Sequence, residues 1–172
     1  MDVNLRPARR ADVAALSQLG TESFVAKFGH LYRPADLAAY LAQAHSEEAV
    51  AHELANRARR CCLAEVEGRL AGYCRLTLAC GWPQHARGDH VIELKQLYTD
   101  PALTGHGIGA RLMEWALAEA RMHGADEIQL SVWSGNHGAQ AFYARYGFAQ
   151  VAEVTFNVGQ QVDEEYLFAR LL

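Results

Sequence analysis

From Glu93 to Leu112 the chain runs Glu-Leu-Lys-Gln-Leu-Tyr-Thr-Asp-Pro-Ala-Leu-Thr-Gly-His-Gly-Ile-Gly-Ala-Arg-Leu, and no other stretch limits the fold as strongly. It combines a strand, a proline-marked turn, a glycine-rich loop and the opening of a helix. Gly105, Gly107 and Gly109 alternate just ahead of a long amphipathic run. Glycines leave backbone N–H groups uncovered by side chains. A helix start adds unpaired N–H groups and the positive end of a dipole. Together they form a site for phosphate or pyrophosphate.

The strand ahead of this loop, Val91 to Thr99, is irregular. Ile92 and Leu94 alternate in step, but the next large apolar residue is Leu97, three positions on, so parity slips near Lys95-Gln96. A β-bulge absorbs one such slip, leaving a backbone group unpaired and re-aiming side chains. Ordinary irregularity of alternation gives the same pattern.

The remaining elements follow from local signals. Val3 to Pro7 is extended. A helix opens near Asp12 with Val13, Leu16, Leu19, Phe24 and Phe28 at helical spacing, and ends by Gly29. Pro34 to Ala44 is a second helix with proline in its first turn, and Ser46 caps a third. Cys62 to Leu78 forms a hairpin turning at Glu67-Gly68-Arg69, and Gly81 to His90 is a polar loop. The glycine loop leads into a helix over Ile108–His123, with Ile108, Leu112, Met113, Ala116, Leu117 and Ala120 on one side. Glu127 to Trp133 alternates strictly, as a strand. Asn136 caps a helix from Gly138 to Tyr146. Phe148 to Val158 and Val162 to Leu171 are two final strands. With 172 residues and 51% hydrophobic composition, one domain over residues 1–172 is expected. The element order predicts a mixed α/β layer arrangement with helices on both faces of one sheet.

Several function classes fall away. A net charge of −4 carries no basic footprint, so no nucleic-acid partner is expected. Cys61, Cys62, Cys74 and Cys80 lack metal-ligand spacing and suit reduced thiols in a cytosolic protein. The scattered histidines form no metal set. The start carries no signal-peptide pattern, and no apolar run reaches membrane-spanning length, so a cytoplasmic protein without a membrane partner is expected. A P-loop needs a Lys-Ser/Thr pair where Ala110-Arg111 stands. Gly105-x-Gly107-x-x-Ala110 fits the relaxed dinucleotide-binding turn. Asp100-Pro101-Ala102-Leu103, however, separate it from its strand, and Val132-Trp133-Ser134 stand where an acidic residue belongs.

Leu97-Tyr-Thr-Asp-Pro followed by Gly105-His-Gly-Ile-Gly-Ala-Arg-Leu112 resembles the acyl-coenzyme A motif of the GNAT N-acetyltransferase superfamily. Asn136-His-Gly-Ala-Gln-Ala-Phe-Tyr-Ala-Arg-Tyr-Gly-Phe148 resembles its second motif, and the hairpin around Glu65 to Tyr73 also fits. The match runs from about residue 3 to the end. Within the superfamily, Glu22-Ser-Phe24 with Phe28, Val132-Trp133, and Phe156 with Gly159 look like the PaiA-type polyamine acetyltransferases.

The resemblance implies a single mixed, mostly antiparallel sheet of about seven strands, with acetyl-CoA as co-substrate and no metal. It implies direct transfer of acetyl to a primary amine of a small molecule, a polyamine being the named candidate. A protein N-terminus, an amino acid or an antibiotic is the alternative acceptor, and a non-catalytic acyl-CoA binding module the alternative role. Tyr143 matches the family's general acid, and Glu93 is the candidate base. Leu97, Tyr98 and Thr99 border the thioester, whose carbonyl needs a preorganised donor. Gly105, His106, Gly107, Ile108, Gly109 and Ala110 cradle the pyrophosphate, with Asn136 and Arg145 as further coenzyme contacts. The family usually has Arg or Gln where Thr104 stands, which implies one phosphate contact fewer. Phe24, Phe28 and Tyr32 are candidates to line the acceptor pocket, core packing being the favoured role for the first two, and Glu22 is a candidate to attract a cation. A homodimer is the family-based expectation.

Overall fold

The computed structural model describes residues 2–172, as seven strands and five helices among them. The strands are β1 (Asn4–Pro7), β2 (Arg59–Val66), β3 (Arg69–Thr77), β4 (Val91–Thr99), β5 (Glu127–Trp133), β6 (Ala149–Val158) and β7 (Gln161–Leu171). The helices are α1 (Val13–Phe28), α2 (Pro34–His45), α3 (Glu47–Ala55), α4 (Ile108–Met122) and α5 (His137–Arg145). One sheet holds all the strands, in the order β1-β2-β3-β4-β5-β7-β6. Every neighbouring pair is antiparallel except β4 and β5. The mixed, mostly antiparallel seven-stranded sheet expected from sequence is present.

α4 packs on β2, β3 and β4, and all six of its expected core residues are buried. With Phe142 and Tyr143 of α5 they join the larger core, which includes Ile92, Leu94, Ile128 and Leu130. α1 and α3 cover the opposite face, over Leu16, Val50, Leu63 and Tyr73, while α2 lies against β6. Local caps agree with the residues that predict them. The Ser46 hydroxyl accepts the Ala49 N–H at 3.2 Å, and the Asn136 side chain accepts that of Ala139 at 3.2 Å. Strict alternation in β5 normally marks a half-solvated strand, yet Glu127 and Gln129 are fully buried. The 79–90 loop folds over that face. Glu127 accepts the N–H groups of Arg87 and Gly88 at 2.7 and 2.9 Å, and Gln129 accepts the Cys80 thiol at 3.4 Å.

Two irregularities of the sheet create the site. Arg75 pairs with Gln96 and the next residue, Leu76, pairs with Leu94, so Lys95 is the extra residue of a bulge. The parity slip in the sequence is this bulge. In addition, β4 and β5 pair only at Val91–Glu127, Ile92–Ile128 and Glu93–Gln129. Past that point they diverge, and the sheet opens between them.

His45 gives the fold an acid sensitivity. It is 1% exposed, ringed by Phe24, Tyr40 and Tyr98, and neither ring nitrogen finds a partner among the described residues. Burial, aided by the charge of Arg75, pulls its pKa from 6.5 to about 4. The neutral ring is the form the fold accepts. This contribution is complete above pH 6.5 and is lost as pH falls toward 4, because only the unfolded chain takes the proton. Urea unfolding at pH 7 and pH 4.5 is expected to show a loss of about 2–3 kcal/mol from this residue. The part removed in His45→Gln measures it.

Candidate active site

The opened sheet is a cleft of about 1360 Å³ that reaches from the glycine loop to α2 and α3. One wall is the unpaired edge of β4 with the bulge. The other is the end of β5 with α5, and β6 and β7 close the far side. Because β4 and β5 no longer pair here, the backbone groups of Gln96 to Thr99 that face the gap lack ladder partners from β5. An N–H group left free on such an edge is the kind of fixed donor that a polarised carbonyl requires.

The glycine loop meets the cleft at the start of α4. Gly105 and Gly107 have φ of +84° and +80°, and nothing lies within 4 Å of where a Cβ would stand on either. Glycine takes this conformation freely and leaves the cradle open. The first intrahelical bond of α4 runs from the Arg111 N–H to the Gly107 carbonyl at 3.1 Å, so the N–H groups of Ile108, Gly109 and Ala110 precede it. Gly105, Gly107, Ile108, Gly109 and Ala110 all line the cleft. A pyrophosphate fits this geometry. Gly107→Val places a β-branched residue in a left-handed conformation and side-chain atoms in the cradle. Calorimetry is expected to show acetyl-CoA affinity roughly 10-fold weaker, because those atoms hold the phosphate off the N–H groups, and the strain itself is expected to lower folding stability by about 1–3 kcal/mol.

The other expected coenzyme contacts are assembled, with one exception. Leu97, Tyr98, Thr99, Asn136 and Arg145 line the same cleft. His106 does not. Its ring is exposed, with Nδ1 3.2 Å from the carbonyls of Leu103 and Thr104, so it braces the loop from outside. The Thr104 hydroxyl donates to the Pro101 carbonyl at 2.8 Å, fastening the turn.

Tyr143 is on α5, its ring between Phe142 and Phe148 at 5.4 and 6.0 Å, and it lines the cleft. Burial pushes its hydroxyl well above the ordinary 10, and the nearby Cys74 thiol and Glu165 carboxyl add to that. The phenol therefore stays protonated at neutral pH, the form a general acid requires. Glu93 is buried on the α1–α3 side of β4, and Lys95 Nζ is 3.4 Å from its Oε1.

A second carboxylate, absent from the sequence-based expectations, lies in the same cleft. Glu165 sits opposite Trp133 in the β5–β7 ladder. Burial raises its pKa above 4.5, against a lowering bond from the Ser131 hydroxyl. The only sequence signal was its polar position within a terminal strand. Its placement depends on β7 pairing with β5, a nonlocal register.

Phe24, Phe28 and Tyr32 line the acceptor end, with Phe28 edge-on to Trp133 at 6.2 Å and the Tyr32 hydroxyl donating to Asp163. Glu22 is not brought to the cleft. Ser23, its neighbour on α1, faces the sheet and donates to the Thr99 carbonyl at 3.1 Å. One residue of helical rotation turns Glu22 to solvent, where Gln18 donates to it at 2.9 Å. It lines a shallow surface depression with Thr21, Val25 and Pro101.

A sheet split between two parallel strands, a bulged edge, a phosphate cradle and a partly buried phenol are the parts expected of an acyl-coenzyme A–dependent acyltransferase. The chain belongs to the acetyltransferase (GNAT) family, whose model matches residues 25–148. It is 30% identical over 162 residues to an uncharacterized N-acetyltransferase of Mycobacterium tuberculosis, covering 94% of this chain and 98% of that one. The PaiA N-acetyltransferase of Thermoplasma acidophilum, solved in complex with coenzyme A, superposes over 100% of both chains with a TM-score of 0.80 at 19% identity. The yncA protein of Salmonella typhimurium, solved with acetyl-CoA, does so with a TM-score of 0.68 at 20% identity, over 100% of this chain and 95% of that one. Acetyl-CoA is thus the co-substrate of an N-acetyltransferase. Among the described residues no helix is long and apolar enough to cross a membrane.

Proposed function

We propose that the protein acetylates a primary amine of a small molecule directly, with Tyr143 as general acid and Glu165 as general base. The observation that carries this reading is the presence of a phenol and a half-buried carboxylate in one cleft, beside the glycine cradle. Acetyl-CoA supplies an acyl group already activated as a thioester. The loop from Gly105 to Ala110 holds its pyrophosphate, and the β4 edge past Lys95 donates N–H groups to the carbonyl as charge develops there. The Glu165 carboxylate takes the proton the amine loses as the C–N bond forms. The Tyr143 phenol protonates the sulfur as the C–S bond breaks. Glu93, held beside Lys95, supports the field of the acceptor site and relays through water in this scheme.

Four free cysteines support a reducing compartment, and we place the reaction in the cytoplasm. A polyamine and an amino acid differ chiefly in the charge that the far end of the acceptor carries. Thiol release from acetyl-CoA, measured with butylamine, spermidine, glycine and no acceptor, tests the reading. Release that depends on added amine and matches N-acetylated product supports it. Coenzyme binding with no amine-dependent release would leave only a binding module.

A further inference from the structure

Arg75 belongs to β3 and pairs across the ladder with Gln96, beside the bulged Lys95. It is 3% exposed and lines the acceptor side of the cleft. A guanidinium carries five N–H donors and remains charged. Among the described residues its one ionic contact is from Nη1 to Glu53 Oε2 at 3.5 Å. That same oxygen accepts Arg59 Nε at 2.9 Å. Glu53 therefore serves two cations, and the cluster keeps a net positive charge at the cleft wall. Arg75 lies 5.8 Å from the Tyr73 ring and beside the Cys61 thiol; its Nε and Nη2, both fully buried, have no hydrogen-bond partner among the described residues, and neither does the buried Thr77 hydroxyl two residues along the strand. Of the other carboxylates that line the cleft, Glu93 faces Lys95, Glu165 accepts from the Ser131 hydroxyl, and Glu48 is exposed to solvent.

A buried arginine with an unused edge is costly to keep, and that planar fork matches a carboxylate or similar oxyanion. We infer that the acceptor is an amine that also bears an anionic group, a carboxylate in the simplest case, and that Arg75 pairs with that anion. The inference rests on the N-acetyltransfer reading and narrows its acceptor. Adjacent strands lie about 4.8 Å apart. An amine at the β4 bulge and an anion at the β3 side chain are then joined by only a few bonds, which suits an amino acid better than a long polyamine.

The test compares 4-aminobutanoate, butylamine and putrescine, which share a chain ending in a carboxylate, a methyl group or a second ammonium. The wild-type kcat/KM is expected to favour the carboxylate roughly 10- to 100-fold, as a charge-assisted pair provides. In Arg75→Gln that preference is expected to vanish through the KM of the amino acid, with the KM of acetyl-CoA unchanged. Arg75→Lys is expected to keep part of it. The wild-type ratio stands even if Arg75→Gln fails to fold. Acetylation with no preference for the carboxylate, or with putrescine best, overturns the inference while leaving N-acetyltransfer intact. A preference that survives Arg75→Gln removes Arg75 from the role. No acetylation of any of the three overturns both readings.

Discussion

Replacing Tyr143 with phenylalanine is expected to lower kcat by roughly 100- to 1000-fold while changing the KM of acetyl-CoA by no more than about twofold. The substitution removes one hydroxyl and keeps the ring that packs between Phe142 and Phe148, so the fold has no reason to change. What disappears is a proton donor placed where a thiolate departs. Because burial holds the Tyr143 hydroxyl protonated well beyond pH 10, the wild-type rate is not expected to fall through loss of this proton anywhere near neutral pH. Steady-state thiol release across a pH series measures both effects. A Tyr143→Phe enzyme with full kcat would remove the phenol from the chemistry.

The second large effect is expected at Glu165. Glu165→Gln keeps the shape and a hydrogen bond to Ser131 but cannot accept a proton, and kcat/KM is expected to fall roughly 100-fold. Burial raises the pKa of this carboxyl, so the acidic limb of the wild-type profile should lie above the ordinary 4.5. Activity rises with pH through that limb, since the ionised form is the base. In Glu165→Gln the limb is expected to disappear, while the limb set by the amine itself remains. Glu93→Gln is expected to cost less, because Glu93 already faces Lys95 at 3.4 Å. If Glu93→Gln instead abolishes the acidic limb and Glu165→Gln leaves it, the base is the strand β4 carboxylate.

Much of this site was legible because its signals are local. The glycines of the cradle, the helix that follows and its six buried residues are read within one stretch of chain. The bulge at Lys95 leaves a direct trace, since one extra residue shifts side-chain parity for the rest of the strand. Asn136 is both a cap and a cleft residue, and its spacing announced the cap. What was not legible depends on distant pairing. Glu165 reaches the cleft only because β7 returns between β5 and β6, against Trp133. Arg75 looks like any polar residue of a hairpin until the fold buries it against Glu53 of α3 and leaves two of its nitrogens without hydrogen-bond partners among the described residues. Glu22 shows the opposite case. It sits next to residues that face the site, but the 100° turn per residue of a helix sends it to solvent.

Direct transfer makes one demand that no indirect route shares. Incubated with acetyl-CoA in the absence of amine, the enzyme should keep its mass, and thiol should appear only once an amine is added. Cys74, the thiol that bears on the Tyr143 hydroxyl, is fully buried and its pKa is pushed well above the ordinary 9.0, so it offers no ready nucleophile. Intact-protein mass spectrometry before and after addition of amine, with thiol release followed in parallel, is the decisive measurement. An unmodified protein and amine-dependent thiol release in step with acetylated amine is the result expected here. An acetylated enzyme that forms without amine and discharges when amine arrives would contradict direct transfer.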